Sequence, residues 1–221
     1  MDTNTPVVIG YSGSLEWNQD VVSTSSGALL QWFWTYRCLT TDPSTRSAFY
    51  LMKAFAYARF QLGMPKGAVK IELWGKIDPH YQSFAETLGI ADDVYISGYL
   101  SKAASLEKSN QCDILFLPME SPGKDGQPLF IPGKAYEYLN ARKPILAFSE
   151  SCDAMNVLQP SGLLVQFGAR AIEEPAQWMH RVAKDRAILN TIRPDDSYIV
   201  KYSFREITGQ LADVFNKTLH E

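Results

Sequence analysis

Pro132-Gly-Lys-Ala-Tyr-Glu-Tyr-Leu-Asn-Ala-Arg-Lys-Pro-Ile-Leu-Ala-Phe148 is the stretch whose reading decides the fold. A Pro-Gly turn opens it, and a short helix follows from about Lys134 to Ala141. The helix must stop before Pro144, because the residue preceding a proline is pushed out of the α region. Ile145 to Phe148 is then a short apolar strand. Upstream, Asp113-Ile-Leu-Phe-Leu-Pro118 is a second such strand, joined to the helix by a Gly/Pro-rich loop. Strand, loop, helix start and strand together aim unpaired backbone N–H groups above a sheet, where an anion such as phosphate is the natural guest.

Outward from this unit the same alternation repeats. Val7 to Gly13 is a first strand running into a Gly-containing turn, Gly13-Ser14-Leu15. Ser47 to Gly63 is an amphipathic helix, with Phe49, Met52, Phe55, Ala56 and Phe60 at three- and four-residue steps. Strands are expected at Val69–Gly75, Val94–Gly98 and Leu163–Phe167, and helices over 79–88, from after the Tyr99-Leu100-Ser101 loop to about Asn110, over 174–189 and over 204–219. Short apolar strands alternating with helices imply a parallel sheet covered on both faces. The fold class is therefore α/β, one Rossmann-like domain over residues 1–221 with a six-stranded parallel sheet. Its turns at Gly13, Gly75, Gly98 and Pro118 and its Pro132 loop all fall at the carboxyl edge, where open sheets bind ligands. Residues 18–45 form an irregular aromatic-rich insertion. Trp32, Phe33, Trp34 and Tyr36 are too close together to share one helix face, so the stretch 28–39 either packs under the domain's own helices or meets a partner or second copy.

Composition excludes several classes. A net charge of −3 with scattered Lys and Arg leaves no electrostatic footprint for nucleic acid. No apolar run approaches ~20 residues, so no transmembrane segment is expected. The first residues carry neither a basic region nor an apolar core, so they do not read as a signal peptide. Cys38, Cys112 and Cys152 form neither a metal spacing nor an even disulfide set, which suits a reducing, cytoplasmic setting. His80, His180 and His220 lie far apart without acidic or thiol partners at ligand spacing, so no metal is expected. The Gly-x-Gly-x-x-Gly dinucleotide fingerprint is missing after the first strand.

The run Pro-Gly-Lys134-Ala-Tyr-Glu137-Tyr138, closed by Lys-Pro144-Ile-Leu-Ala, resembles the donor-binding segment of the group 1 family of retaining glycosyltransferases, enzymes of two Rossmann-like halves (the GT-B fold). Leu73-Trp-Gly75, Val94-Tyr-Ile-Ser-Gly98, Cys112-Asp-Ile-Leu-Phe-Leu-Pro118 and the last helix are similar to successive elements of that family's second half. The resemblance implies binding of a nucleoside-diphosphate sugar as donor, with no cofactor and no bound metal. It implies that Glu137 takes the ribose hydroxyls, that the backbone of Gly13 and Ser14 approaches the diphosphate, and that Gly98, Tyr99 and Leu100 hold the base. Gly133, Lys134 and Ala135 at the helix start would face the phosphates, with Lys76 a second cation. Lys134 is unfavourable to the helix dipole, which suits a residue answering an anion.

Two features depart from the family pattern. The family supplies a basic residue soon after the first strand, whereas here no Lys or Arg follows until Arg37. The family also carries a glutamate eight positions before the ribose-binding one, where this chain has Leu129; Glu120 is the candidate substitute and the one catalytic candidate. The length matches one half alone, so the acceptor-binding N-terminal half is expected as a missing domain or a partner subunit. The setting implied for a full-length enzyme is cytoplasmic or membrane-peripheral, in polysaccharide or glycoconjugate synthesis. Two rival readings stay open. One is a different GT-B-like enzyme half of the nucleotide-sugar 2-epimerase type. The other is a non-catalytic Rossmann-like interaction module associating through 28–39.

Overall fold

The computed structural model describes residues 5–18, 42–121 and 130–219. The aromatic run at 28–39, most of the 18–45 insertion and Leu129 lie outside the described residues.

Six strands form one all-parallel sheet: β1 (Val7–Leu15), β2 (Val69–Ile77), β3 (Val94–Ser97), β4 (Ile114–Pro118), β5 (Ile145–Phe148) and β6 (Leu164–Phe167), in the order β3-β2-β1-β4-β5-β6. The burial of each strand explains its composition. Every residue of β4 and β5 is buried, as continuous apolar runs covered on both faces require. The outermost strands β3 and β6 are mostly half-buried or exposed and carry the polar residues Ser97 and Gln166.

Helices cover both faces. On one, α1 (Phe49–Phe60), α2 (His80–Thr87) and α6 (Glu173–Lys184) bury Phe55, Tyr81, Met179 and Val182 against Ile9, Ile71, Phe116 and Phe148. On the other, α4 (Gly133–Ala141) and α5 (Asp153–Leu158) bury Tyr138, Leu139, Met155 and Leu158 against Trp74, Leu115, Leu117, Ile145 and Ala147. The alternation of β5 divides its side chains between the two cores, Leu146 and Phe148 to one and Ile145 and Ala147 to the other. Between β3 and β4, α3 (Lys102–Gln111) is capped by Ser101, whose side chain accepts the Ala104 N–H.

Several elements differ from the sequence reading, β2 among them, which runs past the expected turn at Gly75 to Ile77. Gly13-Ser14-Leu15 is not a turn: β1 continues through it, paired with β2 as far as Leu15 opposite Ile77. Gly13 and Gly75 lie opposite each other with φ of 141° and 118°, so the strand pair keeps its register through backbone shapes that side chains rarely allow. The helix expected over 174–189 ends at Lys184. Asp185 is extended, and its carboxylate accepts the Ala187 N–H to start a separate 3-10 turn at Arg186–Thr191. The short helices α5 and α7 (Asp196–Ile199) are too brief to show a period in the sequence. The last helix, α8 (Phe204–Leu219), leaves the body of the domain with residues 204–218 all exposed.

Candidate functional site

The sheet order reverses between β1 and β4, and at such a switch point the loops beyond the strand ends diverge and leave a crevice. Of the clefts on that edge, two gather most of the sequence candidates. One, of about 430 Å³, is lined by Gly13 and Ser14 from β1, Gly75 and Lys76 from β2, Tyr99 and Leu100 from the loop after β3, and Glu137 from α4. Residues spread over more than 120 positions are thereby gathered into one cavity, and six of the sequence candidates meet there. The second cleft, of about 250 Å³, lies over the end of β4 and the start of α4, with Gly133, Lys134 and Glu120 in its wall. Gly98 and Ala135 stand outside both. The Gly98 carbonyl accepts the Gly75 N–H at 3.2 Å and so orders the loop after β3. Ala135 is fully buried, and its N–H donates to the Pro132 carbonyl at 2.8 Å.

The larger cleft has an aromatic rim and a hydroxyl floor. Tyr99 is 87% exposed and presents a bare ring. Beneath it, Trp74 Nε1 donates to Ser105 Oγ at 2.8 Å, and Ser105 Oγ is hydrogen-bonded to Ser12 Oγ at 2.7 Å. Glu137 is exposed on the first turns of α4. An exposed carboxylate at the mouth of such a cavity can accept two hydrogen bonds from a cis-diol.

Lys134 links the two clefts. Its ammonium lies 3.9 Å from the centre of the Tyr11 ring and fills the space that a side chain at Gly13 would need. Burial pushes its pKa down to about 8, Glu137 opposes that shift and Arg46 adds to it. Tyr11 is raised to about 12 by burial, against the field of Arg46, and its hydroxyl donates to the Ser14 carbonyl at 3.0 Å. Among the described residues no side chain caps the start of α4, which follows the extended Pro132. Lys134, Arg46 and an uncapped helix start thus surround the smaller cleft.

Sequence spacing does not single out Arg46, because the resemblance places the expected cation close behind Gly13. It arrives from the turn before α1, fixed by Thr45, whose buried hydroxyl donates to the Met119 carbonyl at 3.0 Å and accepts the Ser121 N–H at 2.7 Å. Its signal was positional: a cation directly before an amphipathic helix packed beside the first strand. Among the described residues no group of three or more acidic, His or Cys side chains could hold a metal, and no helix is long and apolar enough to cross a membrane.

Scanned against protein-family models and curated proteins, the sequence matches none. Solved structures do match. Sucrose-phosphate synthase from Thermosynechococcus elongatus aligns over 100% of this chain and 47% of its own, at 12% identity and a TM-score of 0.65. The pneumococcal O-GlcNAc transferase GtfA, solved with UDP and GlcNAc, aligns over 99% of this chain and 37% of its own, at 12% identity and a TM-score of 0.60. Anabaena HepE, solved with UDP-glucose, aligns over 97% of this chain and 50% of its own, at 15% identity and a TM-score of 0.58. All three are GT-B glycosyltransferases, and this chain has the Rossmann-like fold of one half of such an enzyme. It spans half or less of the length of the structures it matches.

Proposed function

We propose that this chain is the donor-binding half of a glycosyltransferase that uses a nucleoside-diphosphate sugar. The observation carrying this reading is the convergence of Glu137, Tyr99 and the paired Gly13 and Gly75 on one cleft, with Lys134 joining it to a second, cationic one. The base would lie on the loop at Gly98 to Leu100 with Tyr99 stacked on it, and the ribose diol on Glu137. The diphosphate would cross the backbone of Gly13 and Ser14 toward Lys134, Arg46 and the start of α4, with Lys76 as an outer cation. In glycosyl transfer the diphosphate is the leaving group. Fixed cations and helix-start N–H groups aimed at its developing charge are the groups expected to lower that barrier. Two similar structures hold UDP or a UDP-sugar, which favours a uridine diphosphate donor here. A second half, in the same chain or a partner, would bring the acceptor; without it the domain is expected to bind donor with little turnover.

The test is thermal unfolding with UDP, GDP, ADP, dTDP and CMP compounds and their sugars. A ligand at ~100 times its Kd adds about 2.7 kcal/mol, a rise of roughly 5–10 °C at this size. A shift with one nucleotide, largely lost in Glu137→Ala, supports the reading. No shift with any compound would overturn it in favour of an interaction module.

A further inference from the structure

The smaller cleft contains its own anion. Glu120 Oε1 lies 3.4 Å from Arg46 Nη1, and both residues line the 250 Å³ cleft and a neighbouring one of about 170 Å³ toward Ser14 and Glu16. The main chain brings the two residues together. Residues on either side of Glu120 are tied to the one before Arg46, because Thr45 Oγ1 bonds both the Met119 carbonyl and the Ser121 N–H. Asp42 and Ser121 form an antiparallel bridge behind it, and Arg170 holds the Asp42 carboxylate. The folded backbone therefore keeps Glu120 within reach of Arg46 and leaves both side chains free to turn away.

Among the described residues, the charged ones lining this cleft are two cations, Arg46 and Lys134, and one anion, Glu120. Lys134 is turned onto the Tyr11 ring, which leaves Arg46 to Glu120. The pair is partly exposed, 47% and 30% at the side chains, so it is weak enough to exchange. A carboxylate and a phosphate compete for the same planar guanidinium donors, and the phosphate carries more charge.

We propose that Glu120 is an intramolecular counter-ion that occupies Arg46 in the empty cleft and is displaced from it by the diphosphate of the bound nucleotide. Glu120 then sets affinity by competing with the ligand, and it is not the acid that grips the transferred sugar. This inference rests on the nucleotide reading of the site.

The experiment is calorimetric titration of the full chain at low ionic strength with UDP, GDP, ADP and inorganic pyrophosphate. The proteins are the wild type, Glu120→Gln, Arg46→Ala and the double variant, each first checked for an unchanged unfolding midpoint. Glu120→Gln is expected to bind its diphosphate about fivefold tighter, and Arg46→Ala about tenfold weaker. In the Arg46→Ala background, Glu120→Gln should gain less than about twofold, because the competition has lost its object. Weaker binding by Glu120→Gln would make Glu120 a direct ligand contact and overturn the proposal. An equal gain in both backgrounds would reduce it to general repulsion and overturn it too. Wild-type binding that Glu120→Gln leaves unchanged would sink this inference alone. Failure of every protein to bind any of the four probes would sink the nucleotide reading with it.

Discussion

The Lys134 ammonium rests on the face of the Tyr11 ring, 3.9 Å from its centre, directly beside Gly13. A charge on an aromatic face keeps part of its electrostatic support when it leaves water. The rest is lost, and that loss is why the lysine titrates near 8.

The first prediction follows from that titration. Between about 8 and the ordinary lysine value of 10.5, the unfolded chain holds the Lys134 proton and the folded, empty protein does not. The stabilising contribution of this group is therefore present above 10.5 and is lost as pH falls through about 8, where the buried amine must charge. An anionic ligand reverses the preference by favouring the ammonium. Nucleotide affinity should fall as pH rises beyond 8, with uptake approaching one proton per nucleotide bound. Calorimetry in buffers of different ionisation enthalpy reads that uptake directly, and Lys134→Met should abolish it.

A second prediction separates crowding from backbone shape. A methyl group at Gly75 would come within 2.2 Å of the Gly13 carbonyl oxygen at a φ of 118°, whereas one at Gly67, with φ 76°, meets nothing within 4 Å. Gly67→Ala should cost about 1 kcal/mol and Gly75→Ala about 3 kcal/mol. Urea denaturation compares them, and equal losses would show that the β1–β2 contact yields easily.

Away from the site, Asp93 is buried and pairs with Arg59 at 3.3 Å while accepting the Gly67 N–H at 3.0 Å. Arg59 also donates to the Met64 carbonyl at 2.7 Å. Removing one partner of a buried pair leaves the other uncompensated, so Asp93→Ala should lower unfolding free energy by about 3 kcal/mol. Nucleotide affinity should hold, since these groups sit at the opposite edge of the sheet. A drop in affinity at temperatures where the variant remains folded would contradict this.

The final helix gives a fourth test. Phe204, Ile207, Leu211, Val214 and Phe215 form an apolar stripe along α8, each between 47% and 92% exposed. A 16-residue helix without packing is marginal in water, so α8 adds little to the stability of this domain. Ending the chain after Ser203 should change unfolding free energy by no more than about 0.5 kcal/mol. Amide exchange in α8 of the full chain should be fast beside that of β4 and β5. A large loss on truncation would mean that the helix packs on the domain in solution.

The sequence by itself determined the layered architecture. Apolar runs such as Ile114–Leu117 and Ile145–Phe148 are legible because strands buried on both faces must be continuously apolar. Pro132 and Pro144 bracket α4 because each restricts the backbone locally, although the helix itself ends at Arg142, whose φ of 53° is left-handed. The glycines Gly13 and Gly75 were legible as candidates from the backbone freedom of the residue type, whereas Glu137 and Tyr99 became candidates through the family resemblance. What only the tertiary structure decided was the company these residues keep. That Gly13 faces Gly75 across two strands depends on register, and that Arg46 reaches the cleft from the turn before α1 depends on Thr45 bonding the chain on both sides of Glu120. The polar floor of the Ser12 and Ser105 hydroxyls and the Trp74 indole N–H joins a strand, a helix and a second strand that no spacing relates. Periodicity and turn chemistry act over a few residues, whereas pairing, desolvation and charge act through space, between positions that the chain separates by dozens of residues.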